Sequence, residues 1–243
     1  MHRFFVPPDW ITEQRAIIRG GIVHQVRNVL RLKAGDEIML LDNSGLEYRV
    51  RLENLVKDHA EGSIISKSPG LGEPRVEIVL YQALLKGENF EFLLQKCTEV
   101  GVTGFVPLRC ERCISSEPGE SKLERWRRIT REAAEQCGRA KIPFLQPPVL
   151  FEEACKSAQG SCLLAWEGER ERGLRACLQD LRQEARFSIF VGPEGGFSQR
   201  EVEFARSQGM TTVGLGRRTL RAETAGLVTA ASILYEFGEL AEA

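Results

Sequence analysis

The sequence predicts an α/β protein: a mostly parallel sheet flanked by helices, preceded by a small β-rich domain. Three observations carry this reading. From Val76 onward, short apolar runs of strand length alternate with amphipathic runs of helical length, as in a parallel sheet with crossover helices. Before Lys67 the apolar residues recur with period two instead. Between the two lies Lys67-Ser-Pro69-Gly70-Leu-Gly72-Glu-Pro74, a linker by composition. Domains are therefore expected at 1–72 and 73–243.

In the first domain, Asp36–Asp42 and Leu46–Leu52 flank the turn Asn43-Ser44-Gly45 and read as a hairpin. Tyr48, Val50 and Leu52 share one face, with Glu47, Arg49 and Arg51 on the other. Ahead of it, residues 22–32 predict a short helix with Ile22, Val26, Val29 and Leu30 on one side, and Lys33–Asp36 turns the chain into the strand. A small barrel with an inserted helix is expected.

In the second domain, Val76–Leu85 is a buried strand, and 88–100 is a helix with Phe90, Leu93, Leu94, Cys97 and Val100 at helical spacing. Gly104–Leu108 is a short strand. Ser121 with Glu124 has capping-box spacing and predicts a long helix running to about Gly138. Cys162–Trp166 is a strand, Leu174–Glu184 a helix, and Phe187–Val191 a strand. Ser198 with Glu201 opens a further helix that Gly209 ends. Thr211–Leu215 is the last strand and Ala222–Leu240 the closing helix.

Composition narrows the function classes. The 243 residues are 42% hydrophobic and 28% charged with formal net charge −1, ordinary for a globular protein. No apolar run is long enough to span a bilayer. Residues 1–10 lack the apolar core and small-residue cleavage site of a signal peptide. Seven cysteines, an odd number and scattered, favour reduced thiols and a cytoplasmic location. Arginines cluster around Trp126, at Arg139, and at Arg217, Arg218 and Arg221. Arginine suits bidentate phosphate contacts, but around Trp126 the interleaved Glu124, Glu132 and Glu135 read more simply as a solvated helix face.

Two segments carry the functional signal: Phe187–Gly196, ending Gly192-Pro193-Glu194-Gly195-Gly196, and Val213–Gly226, containing Leu215-Gly216 and Leu220-Arg221-Ala222-Glu223-Thr224-Ala225. Each reads as a buried strand entering a glycine-bearing loop that opens a helix. Loops at the carboxyl ends of strands in open α/β sheets are where ligands bind. Neither has the spacing of a dinucleotide fingerprint or a phosphate loop. Adjacent glycines permit close backbone approach to a flat group, and Pro193 stiffens the first loop. Glu223 in a first helical turn suits the helix dipole, whereas Arg221 there is unfavourable and calls for a partner from outside. Cys110-Glu-Arg-Cys113 has metal-ligand spacing but no second ligand pair follows, so no metal is expected. Among the three histidines only His24 lies beside basic residues, Arg27 and Arg31.

These two loops together resemble the bacterial 16S ribosomal RNA uracil-N3 methyltransferases, the small-subunit methyltransferase E type of the SPOUT, or trefoil-knot, superfamily. The likeness extends to Arg3-Phe-Phe, His24-x-x-Arg27-x-Val-Leu-Arg31, Gly35-Asp36, Lys86-Gly87-Glu88, Gln95–Val102 and Glu135–Arg139 with Pro143. Cys113 and Cys137 stand where serine is usual, and Thr219 where isoleucine is. The resemblance implies a PUA-like barrel over 1–72 and a knotted methyltransferase domain over 73–243, S-adenosylmethionine as cofactor, 16S rRNA of the small subunit as substrate, and a homodimer. On this basis Gly192, Pro193, Glu194, Gly195, Gly196, Leu215, Gly216, Leu220, Thr224 and Ala225 are expected around the cofactor. Arg221 and Glu223 are expected at the reacting groups, with Glu194 a second candidate base. Arg3, His24, Arg27, Arg31 and Arg139 are expected on RNA. A same-fold enzyme acting on another RNA, a non-catalytic assembly factor, and a nucleotide-binding metabolic enzyme are the alternatives. Cofactor binding separates the assembly factor from the enzymes.

Overall fold

A computed structural model describes residues 1–240. The chain forms two compact units, Met1–Glu73 with Ala134–Ile142, and Pro74–Ala133 with Pro143–Ala243. The return of Ala134–Ile142 to the first unit has no trace in linker composition. It rests on packing: Ala134 and Ala140 are buried with Phe5 and Leu41, and the Phe5 N–H donates to Glu135 Oε1.

In the first unit, β1 (His2–Phe5), β2 (Arg15–Arg19), β3 (Glu37–Leu41), β4 (Leu46–Leu55) and β5 (His59–Pro69) form one sheet in the order β1-β3-β4-β5-β2. β1 and β3 are parallel and the other neighbours antiparallel. The expected barrel takes the form of a curled half-barrel. Irregularities in the β4–β5 register, at Arg49/Val50 and Leu52/Asn54, add bend and twist there. The alternation read in the hairpin holds, with Tyr48, Val50 and Leu52 buried beside Phe4, Ile18, Ile38 and Leu40.

The expected helix over 22–32 is α1 (Gly21–His24) continued by a π turn (Gln25–Val29). Its inward face differs from the expectation: Val23 and Val26 are buried, while Val29 is 63% exposed. The Leu30 N–H reaches back to Gln25 and the Leu32 N–H to Val26. This wider turn moves later residues off the stripe that 3.6-residue spacing predicts.

The second unit contains β6 (Glu77–Ala83), α2 (Asn89–Val100), β7 (Gly104–Arg109), α3 (Glu120–Cys137, whose last turn belongs to the first unit), β8 (Phe144–Leu145), β9 (Val149–Leu150), α4 (Phe151–Ser157), β10 (Ser161–Ala165), α5 (Leu174–Asp180), β11 (Arg186–Val191), α6 (Gln199–Ser207), β12 (Thr211–Val213) and α7 (Ala222–Glu236). All strand pairs are parallel, in the order β12-β10-β11-β6-β7-β8, with β9 also on β7. Burial on both faces explains the continuous apolar strands. Ile78, Leu80, Phe187 and Ile189 pack with residues of α2, α5 and α7, while Val79, Tyr81 and Phe190 pack with α4 and α6.

Two helix starts were expected from capping boxes. At α6 the box is present: Ser198 accepts from the Glu201 N–H and Glu201 from the Ser198 N–H. At α3 it is not. The helix begins at Glu120, which places Ser121 inside the first turn, and Gly119 supplies the carbonyl that the Leu123 N–H meets.

Candidate functional site

Strand order determines which loops meet. β11 and β12 are not neighbours; β10 lies between them. The loop after β10 must therefore stand between the two glycine-bearing loops. The three loops border a cavity of about 580 Å³, lined by residues 165–167, 169 and 170 at the end of β10 and in its loop, 191–196 of the β11 loop and much of 214–225. Of the residues expected around a cofactor, Gly192, Pro193, Glu194, Gly195, Gly196, Leu215, Gly216, Leu220 and Ala225 line it, as do Arg221 and Glu223. Thr224 does not; it is half-buried on α7. Trp166, Glu167, Glu169 and Arg170 of the β10 loop were absent from the expected set, and Gly168 was their one sequence signal.

The β11 loop is held from outside. Its Gly196 has φ +67, and a side chain there would collide with the Glu167 carboxylate, so two features require glycine. The Gly196 N–H closes a turn on the Pro193 carbonyl at 2.9 Å. Arg112 Nη1 donates to the carbonyls of Gly195 (2.9 Å) and Phe197 (3.4 Å). Gln82, 1% exposed, donates Nε2 to the Gly192 carbonyl at 3.4 Å. Glu194 Oε1 accepts the Lys86 N–H at 2.9 Å. Side chains from the ends of β6 and β7 thus engage the loop's carbonyls.

Arg112 itself is carried on a braced turn. The Cys113 N–H meets the Cys110 carbonyl at 3.1 Å, the Glu111 N–H meets Glu201 Oε1 at 2.8 Å, and Ser198 Oγ donates to Glu111 Oε2 at 2.7 Å. Cys113 Sγ accepts the Cys110 N–H and donates to the Leu108 carbonyl, the bonds a serine would make there. The hydrogen bond from the Cys110 thiol brings the Cys113 pKa down to about 7, while the same contact and burial raise Cys110. Cys137 Sγ likewise donates to the Ala134 carbonyl. All seven cysteines are free thiols.

The β10 loop is anchored by Glu169. The Thr212 hydroxyl donates to it at 2.7 Å, the Glu171 and Arg172 N–H groups add to this, and Arg206 lies 3.2 Å away. Led by the Thr212 bond, these hold its pKa down to about 2. Glu223, in the first turn of α7, is 8% exposed and has no hydrogen-bond partner among the described residues. Arg221 has no ion-pair partner among them either.

The residues expected on RNA divide in two. Arg139 is 2% exposed and paired with Glu73 at 2.9 Å, so it presents nothing to a phosphate. Arg3 is largely buried against Glu47. Arg27 donates to the Val56 carbonyl. His24 and Arg31 are exposed. Among the described residues no cluster of His, Cys, Asp and Glu could hold a metal ion, and no helix is long and apolar enough to cross a membrane.

A model of an RNA methyltransferase domain matches residues 72–234, and one of an RNA methyltransferase PUA domain matches residues 18–65. A Synechocystis protein named ribosomal RNA small subunit methyltransferase E is 35% identical over 235 residues, covering 96% of this chain and 77% of its own. The chain belongs to the ribosomal RNA small subunit methyltransferase E family. The family member of Bacillus subtilis is 31% identical over 251 residues, covering 97% of both chains. A crystal structure of the Neisseria gonorrhoeae family member bound to S-adenosyl methionine superimposes with TM-score 0.88 at 32% identity, covering 98% of each chain.

Proposed function

We propose that this protein transfers the methyl group of S-adenosylmethionine to N3 of a uridine in 16S rRNA of the small ribosomal subunit. The observation that carries this is the three-loop cavity, in a chain whose Neisseria relative is described as bound to S-adenosyl methionine. Its volume of about 580 Å³ lies in the range of small-molecule sites. The residues present fit that cofactor. Glycine positions allow backbone to approach a flat adenine, and the Glu167 carboxylate on the cavity wall suits the ammonium of the methionine tail. The cofactor supplies an electrophilic methyl group on a sulfonium.

The chain's own residues must hold the uridine nitrogen in line and remove its proton. Glu223 is the better base. Its carboxylate is in the cavity without a partner, whereas Glu194 is engaged by the Lys86 N–H. Arg221, exposed at the N-cap of α7, is placed to stabilise charge developing on a uracil carbonyl oxygen.

The half-barrel unit is assigned to RNA binding, supported by its match to the RNA methyltransferase PUA domain. A homodimer is supported by the outward stripe of α7, where Thr224, Val228, Ala231 and Tyr235 follow helical spacing with Tyr235 70% exposed. The trefoil knot is the threading expected of the second unit from its family. Free thiols throughout and a ribosomal substrate support a cytoplasmic site of action.

Glu223→Gln and Arg221→Ala test the assignment. Loss of a general base lowers turnover by ~10²–10⁴-fold, and each variant is expected to bind S-adenosylmethionine like the wild type. Unchanged turnover in Glu223→Gln would remove it as the base.

A further inference from the structure

Most arginines of this chain have partners; of those without one among the described residues, Arg19, Arg31, Arg131 and Arg175 lie outside the cavity, and Arg170, Arg217, Arg218 and Arg221 line it. Arg172 and Arg206, beside the β10 and β12 loops, pair with Asp180 and Glu169. Arg170, Arg217 and Arg218 line the cavity, are exposed, and have no hydrogen bond or ion pair among the described residues. They come from the loops after two adjacent strands, β10 and β12. The cavity also carries the carboxylates of Glu167, Glu169, Glu194 and Glu223, but among the described residues none of them forms an ion pair with Arg170, Arg217 or Arg218; Glu169 is engaged by Thr212 and Arg206, and Glu194 by the Lys86 N–H. Three guanidinium groups without an internal ion pair around one opening keep their donors free for an anion from outside. They are compensated when an anion of matching shape arrives, and guanidinium matches phosphate through paired N–H donors.

We propose that Arg170, Arg217 and Arg218 form a phosphodiester receptor at the mouth of the cavity. They grip the RNA backbone on either side of the nucleotide whose base enters. This rests on the RNA methyltransferase reading above and reassigns the phosphate contacts expected of Arg3 and Arg139, which are engaged by Glu47 and Glu73. A base presented from folded RNA must be splayed out of its stack, which leaves the flanking backbone single-stranded at the opening. The carboxylate of the cofactor is the other anion these groups can meet, and the test separates the two.

The full-length protein is titrated with a fluorescent single-stranded oligoribonucleotide across a salt series, and separately with S-adenosylmethionine by calorimetry. Each phosphate contact contributes about 0.7 to the slope of log K against log salt. Arg170→Ala, Arg217→Ala and Arg218→Ala should each lower that slope by about 0.7 and weaken RNA binding about fourfold at 0.15 M salt. Cofactor affinity should be unchanged. Arg131→Ala, which removes an exposed arginine of α3 outside the cavity, should match the wild type. Slopes unchanged in the three variants would overturn the proposal, as would loss of cofactor affinity with the slope intact. Failure of the methyltransferase reading shows separately, as wild-type protein that binds no S-adenosylmethionine.

Discussion

Arg112 is the side chain on which the shape of the β11 loop most depends, and removing it gives a graded, measurable loss. One guanidinium nitrogen reaches the carbonyls of Gly195 at 2.9 Å and Phe197 at 3.4 Å. The first is a good charge-assisted bond and the second a long one. A hydrogen bond to a charged group contributes ~1.5–3 kcal/mol net. Arg112 is exposed, which places its main bond at the low end of that range. In Arg112→Ala the loop samples other conformations before binding, and the ordering cost moves into the binding step. Cofactor affinity should fall by about 1.5 kcal/mol, about tenfold in Kd. Exposed substitutions alter global stability by ~0.5 kcal/mol or less, so the thermal midpoint should hold. Arg112→Lys, which keeps the charge but not the fork, should recover part of the loss. Isothermal titration with S-adenosylmethionine reads all three proteins. An Arg112→Ala affinity within twofold of wild type would refute the idea that this contact positions the loop.

Three further outcomes follow from the geometry. Arg139→Ala removes a buried guanidinium and leaves the half-buried Glu73 without its cation, though still accepting from the Ala140 and Lys141 N–H groups, a loss of ~1–3 kcal/mol; denaturant melts showing under ~0.5 kcal/mol would contradict a structural role for the pair. Cys113, with a pKa of about 7, should be the first of the seven thiols alkylated by iodoacetamide near neutral pH; peptide mapping that finds Cys137 or Cys162 first would count against it. Glu169 is held down to about 2, below the unfolded value near ~4.3. Its stabilising contribution is present above the unfolded value and lost as pH falls from about 4.3 towards about 2. The stability gap between wild type and Glu169→Gln should close across that window, and a gap that stays constant would be the contrary result.

Much of the site was legible because it is built from local signals. Glycine clusters after apolar runs mark strand-end loops, and Ser198 with Glu201 marks the helix that follows. The β10 loop was not legible. Trp166-Glu-Gly-Glu-Arg170 has a single glycine as its loop signal, and its place in the cavity comes from β10 lying between β11 and β12, a pairing that no local pattern encodes. Arg139 misled for a related reason. A basic residue after a helix looks solvated in one dimension, yet the chain returns there to the first unit and buries it against Glu73. Val29 shows a local failure: helical spacing assumes 3.6 residues per turn, and a π turn intervenes. Partner-dependent features, such as the phosphate receptor, become visible only when the ion-pair map shows which arginines are already satisfied.

The central claim is a reaction, and one measurement addresses it most directly. Small ribosomal subunits from a strain lacking this gene are incubated with the protein and labelled S-adenosylmethionine, and the digested 16S rRNA is resolved into nucleosides. A single labelled 3-methyluridine per subunit is the predicted result. No incorporation by protein that binds the cofactor, or label in any other nucleoside, would contradict it.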